Sequence, residues 1–332
     1  MHWGLIGAST IASEHMVAAL RATKAAPRWV VSGSADHADA FARTHRIERA
    51  TTRLQDVLSD RDVQAVYISS TNEKHREQAL AAIAAGKHVL CEKPLAMTVA
   101  EAAEMVHAAA AAGVVLATNH HLRNAGSHLA IRALIADGRI GKILSLRLHH
   151  AVHLPPHLQG WRINDAGAGG GVIPDITVHD ADTARFLTGE DPAHVVAQAG
   201  VSGMGQGVED SVMSVWTLPS GAMVMAHESF THAFAGTGLE VHGTAGSIFA
   251  TGVMTQRPVG EVVLVTAAGR EAVPFSPHDL YQRGVAAFVN AVRGTGAPAA
   301  DGRDGVKSLA IALAVREAAV TGARVNVGYG GL

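Results

Sequence analysis

The chain has 332 residues, a formal net charge of −2 and a single cysteine. A near-neutral balance leaves no electrostatic footprint for nucleic acid or an acidic membrane surface, and one cysteine excludes an intrachain disulfide and suits a reducing compartment. No apolar run approaches the roughly 18 residues of a membrane span, and strand-like residues from Trp3 leave no room for a secretory signal. The expectation is therefore a cytoplasmic protein of about two domains, with neither membrane nor nucleic-acid partner.

Trp3 to Ile6 is a short apolar run, followed by Gly7-Ala8-Ser9-Thr10-Ile11-Ala12 and a helical pattern from Ala12 to Ala22. This strand, tight turn and helix approximates the G-x-G-x-x-G/A dinucleotide fingerprint, with Ser9 in the second glycine position and Ala12 in the third. Small residues are needed there so that backbone N–H groups and the helix dipole can meet a pyrophosphate. The same pattern also serves tight helix packing without a ligand.

The second strand, Trp29 to Val31, ends in Ser32-Gly33-Ser34-Ala35-Asp36-His37. An acidic residue at that tip would hold the ribose 2′-hydroxyl of NAD. Ser32 in its place, with His37 just beyond, tolerates a 2′-phosphate and leans towards NADP, whereas Asp36 keeps NAD open as the weaker alternative. A third strand, Val63 to Ser69, opens into Ser70-Thr71-Asn72-Glu73-Lys74-His75, and a helix from Glu77 to Ala85 stops at Gly86.

The next strand runs from Val89 to Cys91 into Glu92-Lys93-Pro94. A lysine at the carboxyl end of a core strand points into the crevice where open α/β sheets bind ligands, and Pro94 stiffens its backbone. Thr98 and Glu101 form a capping box for an Ala-rich helix that closes at Gly113. A further strand, Val114 to Thr118, ends at Asn119. Strands alternating with helices predict a parallel sheet, so residues 1–120 read as a Rossmann-type dinucleotide-binding domain.

After His121 the pattern changes. A helix from Ser127 to Asp137 leads to a strand over 142–152. Apolar runs at 195–199, 211–218, 223–229, 240–242 and 262–266 are joined by turns such as Pro219-Ser220-Gly221 and Gly243-Thr244-Ala245-Gly246. Two helices, 281–292 and 306–321, end the chain. Residues 121–332 are thus expected to be a substrate-binding α+β domain with a mostly antiparallel open sheet, which could be solvated in a monomer or pair in a homo-oligomer. The fold class is α/β.

Between these segments lies Gly169-Gly170-Gly171-Val172-Ile173-Pro174-Asp175-Ile176-Thr177-Val178-His179-Asp180-Ala181-Asp182. Pro174 suits a first helical turn, which would put Asp175 and His179 four apart on one face. The three glycines make a loop able to pass close to a ligand. A histidine beside a carboxylate can supply a proton near neutral pH, although such a pair is often only a surface ion pair. The run His149-His150-Ala151-Val152-His153-Leu154-Pro155-Pro156-His157 lacks a Cys or carboxylate ligand set at metal spacing, so no metal is expected. Cys91 reads as a small buried hydrophobe.

Gly4-Leu5-Ile6-Gly7, Cys91-Glu92-Lys93-Pro94-Leu95 and the Gly-Gly-Gly-x-x-x-Asp-x-x-x-His-x-x-Asp run stand in the order seen in the glucose–fructose oxidoreductase/inositol dehydrogenase family (Gfo/Idh/MocA). Asp304-Gly305 and the following helix resemble its C-terminal segment. A narrower likeness, to the 1,5-anhydro-D-fructose reductases of that family, rests on Gly4 to Ala12, His88 to Met97, Asn119 to Asn124, Leu154 to Arg162 and Val253 to Gln256. Thr177 stands where the family has glycine, and His37 where the narrower group has arginine.

The resemblance implies roles residue by residue. Lys93 would orient and polarise the oxygens of a sugar-ketone substrate, His179 would be the general acid, and Asp175 would bind sugar hydroxyls and hold His179. Gly7, Ala8, Ser9, Thr10, Ile11 and Ala12 would line the pyrophosphate, and Ser32, Gly33 and His37 the adenosine end. Ser70, Thr71, Asn72, Glu73, Lys74 and His75 would flank the cofactor, with Glu92, Asn119, Trp161, Arg162 and Tyr281 near the nicotinamide. The implied reaction is reduction of 1,5-anhydro-D-fructose by NADPH. An NAD(P)-dependent sugar or polyol dehydrogenase is the alternative, and a non-catalytic dinucleotide sensor would be expected to have lost Lys93 or His179.

Overall fold

The computed structural model describes residues 1–331. They fall into two compact units, residues 1–120 with 281–306, and residues 121–280 with 307–331.

In the first unit the elements follow in order: β1 (His2–Ile6), a wide π-helical turn (Ala12–Met16) continuing as α1 (Val17–Ala22), β2 (Ala26–Val31), α2 (Ala35–His45), β3 (Arg49–Thr51), α3 (Leu54–Ser59), β4 (Val63–Ile68), α4 (His75–Ala84), β5 (His88–Cys91), α5 (Val99–Ala112) and β6 (Leu116–Thr118). All strand pairings are parallel, in the order β3-β2-β1-β4-β5-β6. The order reverses between β1 and β4, where open α/β sheets place their ligands. Strands covered on both faces need near-continuous apolar sequence, and β4 meets that need with Ala65, Val66, Tyr67 and Ile68 all fully buried. The capping box of Thr98 and Glu101 forms as expected, and Gly113 closes α5 in the left-handed region at φ 66°.

The second unit begins with α6 (Gly126–Ala136), β7 (Ile143–Ala151), α7 (Pro156–Asn164) and α8 (Val178–Thr188). β8 (His194–Gly200), β9 (Ser211–Thr217), β10 (Met223–Ser229), β11 (Thr237–Gly243), β12 (Gly246–Thr251), β13 (Glu261–Thr266) and β14 (Gly269–Ala272) follow; the chain then makes α9 (Leu280–Val292), which belongs to the first unit, and α10 (Gly302–Thr321), most of which returns to the second, before β15 (Val325–Asn326). The nine strands are ordered β14-β13-β12-β11-β7-β10-β9-β8-β15, antiparallel except where β7 meets β10. One face alternates inward: Val212, Ser214 and Trp216 on β9 are buried while Met213 and Val215 are exposed. The buried face joins α6 and α8 in one hydrophobic core.

The sequence expectation assigned all of 121–332 to the second domain, but residues 281–306 pack with the first unit. The reason is aromatic. Phe288 of α9 meets Trp3 of β1 with ring centroids 5.1 Å apart, both rings fully buried, and Tyr281 stacks on His15 at 4.7 Å. At the end of β6, Thr118 N–H donates to the Ala300 carbonyl at 3.2 Å. Periodicity within a segment cannot report such a return over long sequence distance. β14 went unread for a different reason: all four of its residues are exposed, so it carries no apolar alternation.

Two predictions follow from this packing. Phe288→Ala is expected to cost about 3–5 kcal/mol, read as a lower denaturant midpoint of the first unit; an unchanged midpoint would mean that α9 contributes nothing there. The second concerns His128 of α6, fully buried, whose Nε2 closes no hydrogen bond. Burial, then the neighbouring His150, lowers its pKa from 6.5 to about 4. The unfolded chain therefore binds this proton more readily than the folded one. The resulting penalty is absent above the unfolded value of 6.5 and grows as pH falls towards 4, reaching on the order of 3 kcal/mol. His128→Gln is expected to flatten the fall in Tm across that window, and an unchanged slope would refute the assignment.

Candidate active site

The turn after β1 is shaped by close backbone approach. Gly7 has φ 113°, and a Cβ there would stand 2.8 Å from the Ser69 carbonyl carbon and from the Ser70 nitrogen. Only glycine lets β1 and β4 end side by side in this way. Ser9, at the second glycine position of the fingerprint, is used for capping. Its Oγ accepts from the Ala12 N–H at 3.2 Å and donates to Ser69 Oγ at 2.7 Å, which binds the helix start to the tip of β4 at the switch point. Ala8, Ser9 and Ile11 are half-buried and Thr10 is exposed. The small side chains, the left-handed glycine and the reversed strand order together fit a dinucleotide pyrophosphate.

At the tip of β2, Ser32 Oγ and His37 Nδ1 lie 3.1 Å apart. His37 also donates its backbone N–H to Ser34 Oγ, the cap of α2, at 3.4 Å. A Cβ added at Gly33 would meet no atom within 4 Å, so this rim is open. After β4, Ser70 Oγ donates to Gln78 at 2.7 Å and Thr71 to Glu73 at 2.7 Å, while Lys74 pairs with Glu73 at 3.5 Å. Asn72 and His75 are buried. The His75 ring stands between two carbonyl oxygens, of Pro94 at 2.9 Å and of Ser70 at 3.1 Å, so it braces the loop that carries Lys93.

The Glu92 carboxylate gathers the strand ends. Its Oε1 accepts from the Tyr67 hydroxyl and from Asn119 Nδ2, both at 2.6 Å, and Asn119 N–H reaches the Cys91 carbonyl at 2.7 Å. Burial, then the facing Glu92 charge, pushes the Tyr67 phenol well above its ordinary value, so it stays a donor. Hydrogen bonds to a charged acceptor contribute roughly 1.5–3 kcal/mol each, enough to hold the half-buried Lys93 on a rigid mount. Tyr67 was missed in the sequence. The available signal was a tyrosine in the apolar run from Ala65 to Ile68, whose hydroxyl needs a partner. Tyr281, expected near the nicotinamide, is buried against His15 within this unit.

In the second unit Gly169-Gly170-Gly171 leads into a wide π-helical turn, Ile173–Thr177, which continues as α8. Asp175 and His179 thus sit on a five-residue turn followed by a regular helix, not on one α-helical face. The glycines serve close backbone approach. A Cβ at Gly170 would lie 2.6 Å from the Trp161 carbonyl oxygen, and one at Gly171 2.5 Å from Glu209 Oε1. Gly170 and Gly171 donate to the carbonyls of Asp165 and Arg162, both at 2.8 Å. This clamps the end of α7 beside Asp175. Arg162 Nε then meets Asp175 Oδ1 at 3.4 Å, and the guanidinium lies over the Trp161 ring at 4.7 Å.

His179 is buried, its ring edge-on to His121 at 4.9 Å between centroids and 6.4 Å from His150. His150 Nδ1 meets Asp180 Oδ1 at 2.9 Å. Asp182, three residues after His179, is held by the Arg123 guanidinium at 2.7–3.1 Å, which fixes α8 against the segment that follows β6. Among the described residues no group of three His, Cys, Asp or Glu stands close enough to hold a metal ion, and no helix is long and apolar enough to cross a membrane.

Comparison with known proteins agrees with this geometry. Residues 1–120 match the oxidoreductase family with an NAD-binding Rossmann fold, and residues 128–249 match the GFO/IDH/MocA C-terminal domain. The 1,5-anhydro-D-fructose reductase of Ensifer adhaerens is 55% identical over 329 residues, 99% of each chain. The myo-inositol 2-dehydrogenase of Thermotoga maritima is 29% identical over 82% of each chain. A levoglucosan dehydrogenase solved with NADH and levoglucosan superposes with a TM-score of 0.88 at 25% identity, over 98% of this chain and 99% of that one. The first unit is thus an NAD(P)-binding Rossmann fold, and the chain belongs to the GFO/IDH/MocA family of oxidoreductases.

Proposed function

We propose that this protein reduces 1,5-anhydro-D-fructose to 1,5-anhydro-D-mannitol with NADPH. The observation that carries this reading is the 55% identity over 99% of both chains with a reductase of that name. The relatives named for levoglucosan and inositol support the broader class of sugar and polyol substrates.

Binding falls to the turn from Gly7 to Ala12, with Ser9 fixing the helix start, and to the open rim of Ser32, Gly33 and His37. No carboxylate stands at the tip of β2, so a 2′-phosphate meets no like charge there. Asp36 lies one position from His37 in the first turn of α2 and is the residue through which NAD could still be accepted. When bound, the dinucleotide supplies the hydride; the protein supplies orientation and a proton. Lys93, mounted by the Glu92 hub, holds the substrate oxygens, and its ammonium favours the developing alkoxide. His179 delivers the proton to that oxygen. Asp175, already oriented by Arg162, holds sugar hydroxyls, and Trp161 offers them an apolar face.

Three outcomes test the reading. NADPH absorbance is expected to fall rapidly with 1,5-anhydro-D-fructose and slowly with NADH in its place; NAD-linked oxidation of a polyol without ketone reduction would move the function to a dehydrogenase. Lys93→Ala and His179→Ala should each keep cofactor affinity, measured by fluorescence titration, while turnover drops by about a hundredfold or more. Ser32→Asp should lower kcat/KM for NADPH by about tenfold or more through like-charge repulsion and spare NADH. Equal losses with both cofactors would show that Ser32 does not face the 2′-position.

A further inference from the structure

Alternation along β10 sends Val224 and Ala226 into the core and Met223 and Met225 outward, so the next inward position falls on Glu228. A carboxylic acid in that register is costly unless something keeps it neutral or paired. β7 runs parallel beside it with His150 opposite Glu228. Alternation after the buried Leu146 and Leu148 also directs His150 to the inner face. Asp180, the residue after His179, closes the group from above. Its Oδ1 meets His150 Nδ1 at 2.9 Å, and its carboxyl faces that of Glu228, beside the Thr177 hydroxyl.

Asp180 and Glu228 are both 0% exposed. Neither Glu228 oxygen, nor Asp180 Oδ2, closes a hydrogen bond of ordinary geometry with a neighbouring side chain or backbone group. One proton between the two carboxyls, with the Thr177 hydroxyl beside them, supplies the donors that these three oxygens lack. Burial, then the Asp180 charge, pushes the Glu228 carboxyl well above the carboxylate range. The other titratable groups around the cluster are His179 and Asp182 on α8, His121 before α6 and His128 on α6. Arg123 is bound to Asp182, and Val212 stands opposite Glu228 on β9.

We propose, on the reading of His179 as the proton donor, that Glu228 and Asp180 share one proton and act as positioning residues for His179. Glu228 is the neutral acid that donates to Asp180. Asp180 accepts that hydrogen bond, fixes the His150 ring beside His179, and favours the protonated imidazole from which the substrate oxygen takes its proton. Neutral Glu228 keeps the core to a single buried negative charge at this point.

The test uses the whole enzyme and three variants. Glu228→Gln reproduces the neutral acid, with an amide that donates to Asp180 and a carbonyl that accepts from Thr177. It is expected to keep kcat within about twofold, whereas Glu228→Ala loses about tenfold to a hundredfold, the range typical when an orienting hydrogen-bond partner is removed. Asp180→Asn removes the anion and is expected to move the alkaline limb of the kcat profile to lower pH. Infrared spectroscopy at neutral pH should show the carbonyl band of a buried protonated acid in the wild type and not in Glu228→Gln. A wild type lacking that band, or a folded Asp180→Asn with an unmoved profile, would overturn the proposal. The infrared result does not depend on turnover, so it decides the shared proton even if the substrate assay sinks the reductase reading.

Discussion

One buried carboxylate organises the ligand-facing edge of the first unit. Glu92 sits where β5 ends, and its Oε1 accepts from a phenol one residue before the end of β4 and from an amide of the residue after β6. Three neighbouring strands thereby end at a common level. Lys93, the next residue, inherits its position from that knot, and His75 braces the far side of the same loop through the Pro94 carbonyl. Few packing forces could fix a lysine this well, because its long side chain carries about 2 kcal/mol of rotamer entropy. Holding the backbone on both sides of Lys93 reduces what must be ordered to the side chain alone.

The second unit solves the analogous problem with backbone. Its triple glycine passes against the end of α7 and against Glu209 so closely that a single added carbon would collide. The result is a clamp that sets Trp161, Arg162 and Asp175 beside one another. The π-helical turn that follows hands over to α8, whose first turns carry His179, Asp180 and Asp182, each with a different environment. Asp182 is neutralised by Arg123, Asp180 lies between His150 and Glu228, and His179 lies edge-on to His121 with His150 tilted beside it at 6.4 Å. Consecutive helical positions point in different directions, so one short helix carries an ion-paired carboxylate, a fully buried carboxyl and a buried imidazole.

Much of this was legible in the chain. Apolar runs bounded by glycine and the capping box at Thr98 located most strands and helices to within a few residues, because burial on both faces of a parallel sheet forces unbroken apolar sequence. Ser32 was readable as a residue without a carboxylate at the tip of β2, and its hydroxyl stands 3.1 Å from His37 Nδ1. The elements that escaped were those whose signal is weak for physical reasons, such as the exposed β14 and α2, which buries only Ala38, Phe41 and Ala42.

The residues by themselves determined the class of fold, the order of its parts and the candidate chemistry of Lys93 and His179, since periodicity, caps and residue type are local properties. Tertiary structure alone decided the rest. It returned α9 to the first unit through Trp3 and Phe288, made Tyr67 a partner of Glu92, and set the glycine run against the end of α7 and Glu209. It also set Glu228, 48 residues from Asp180 in sequence, against that carboxyl. Each of these depends on contacts between distant positions, whose energy comes from burial and hydrogen bonding that no segment can make alone.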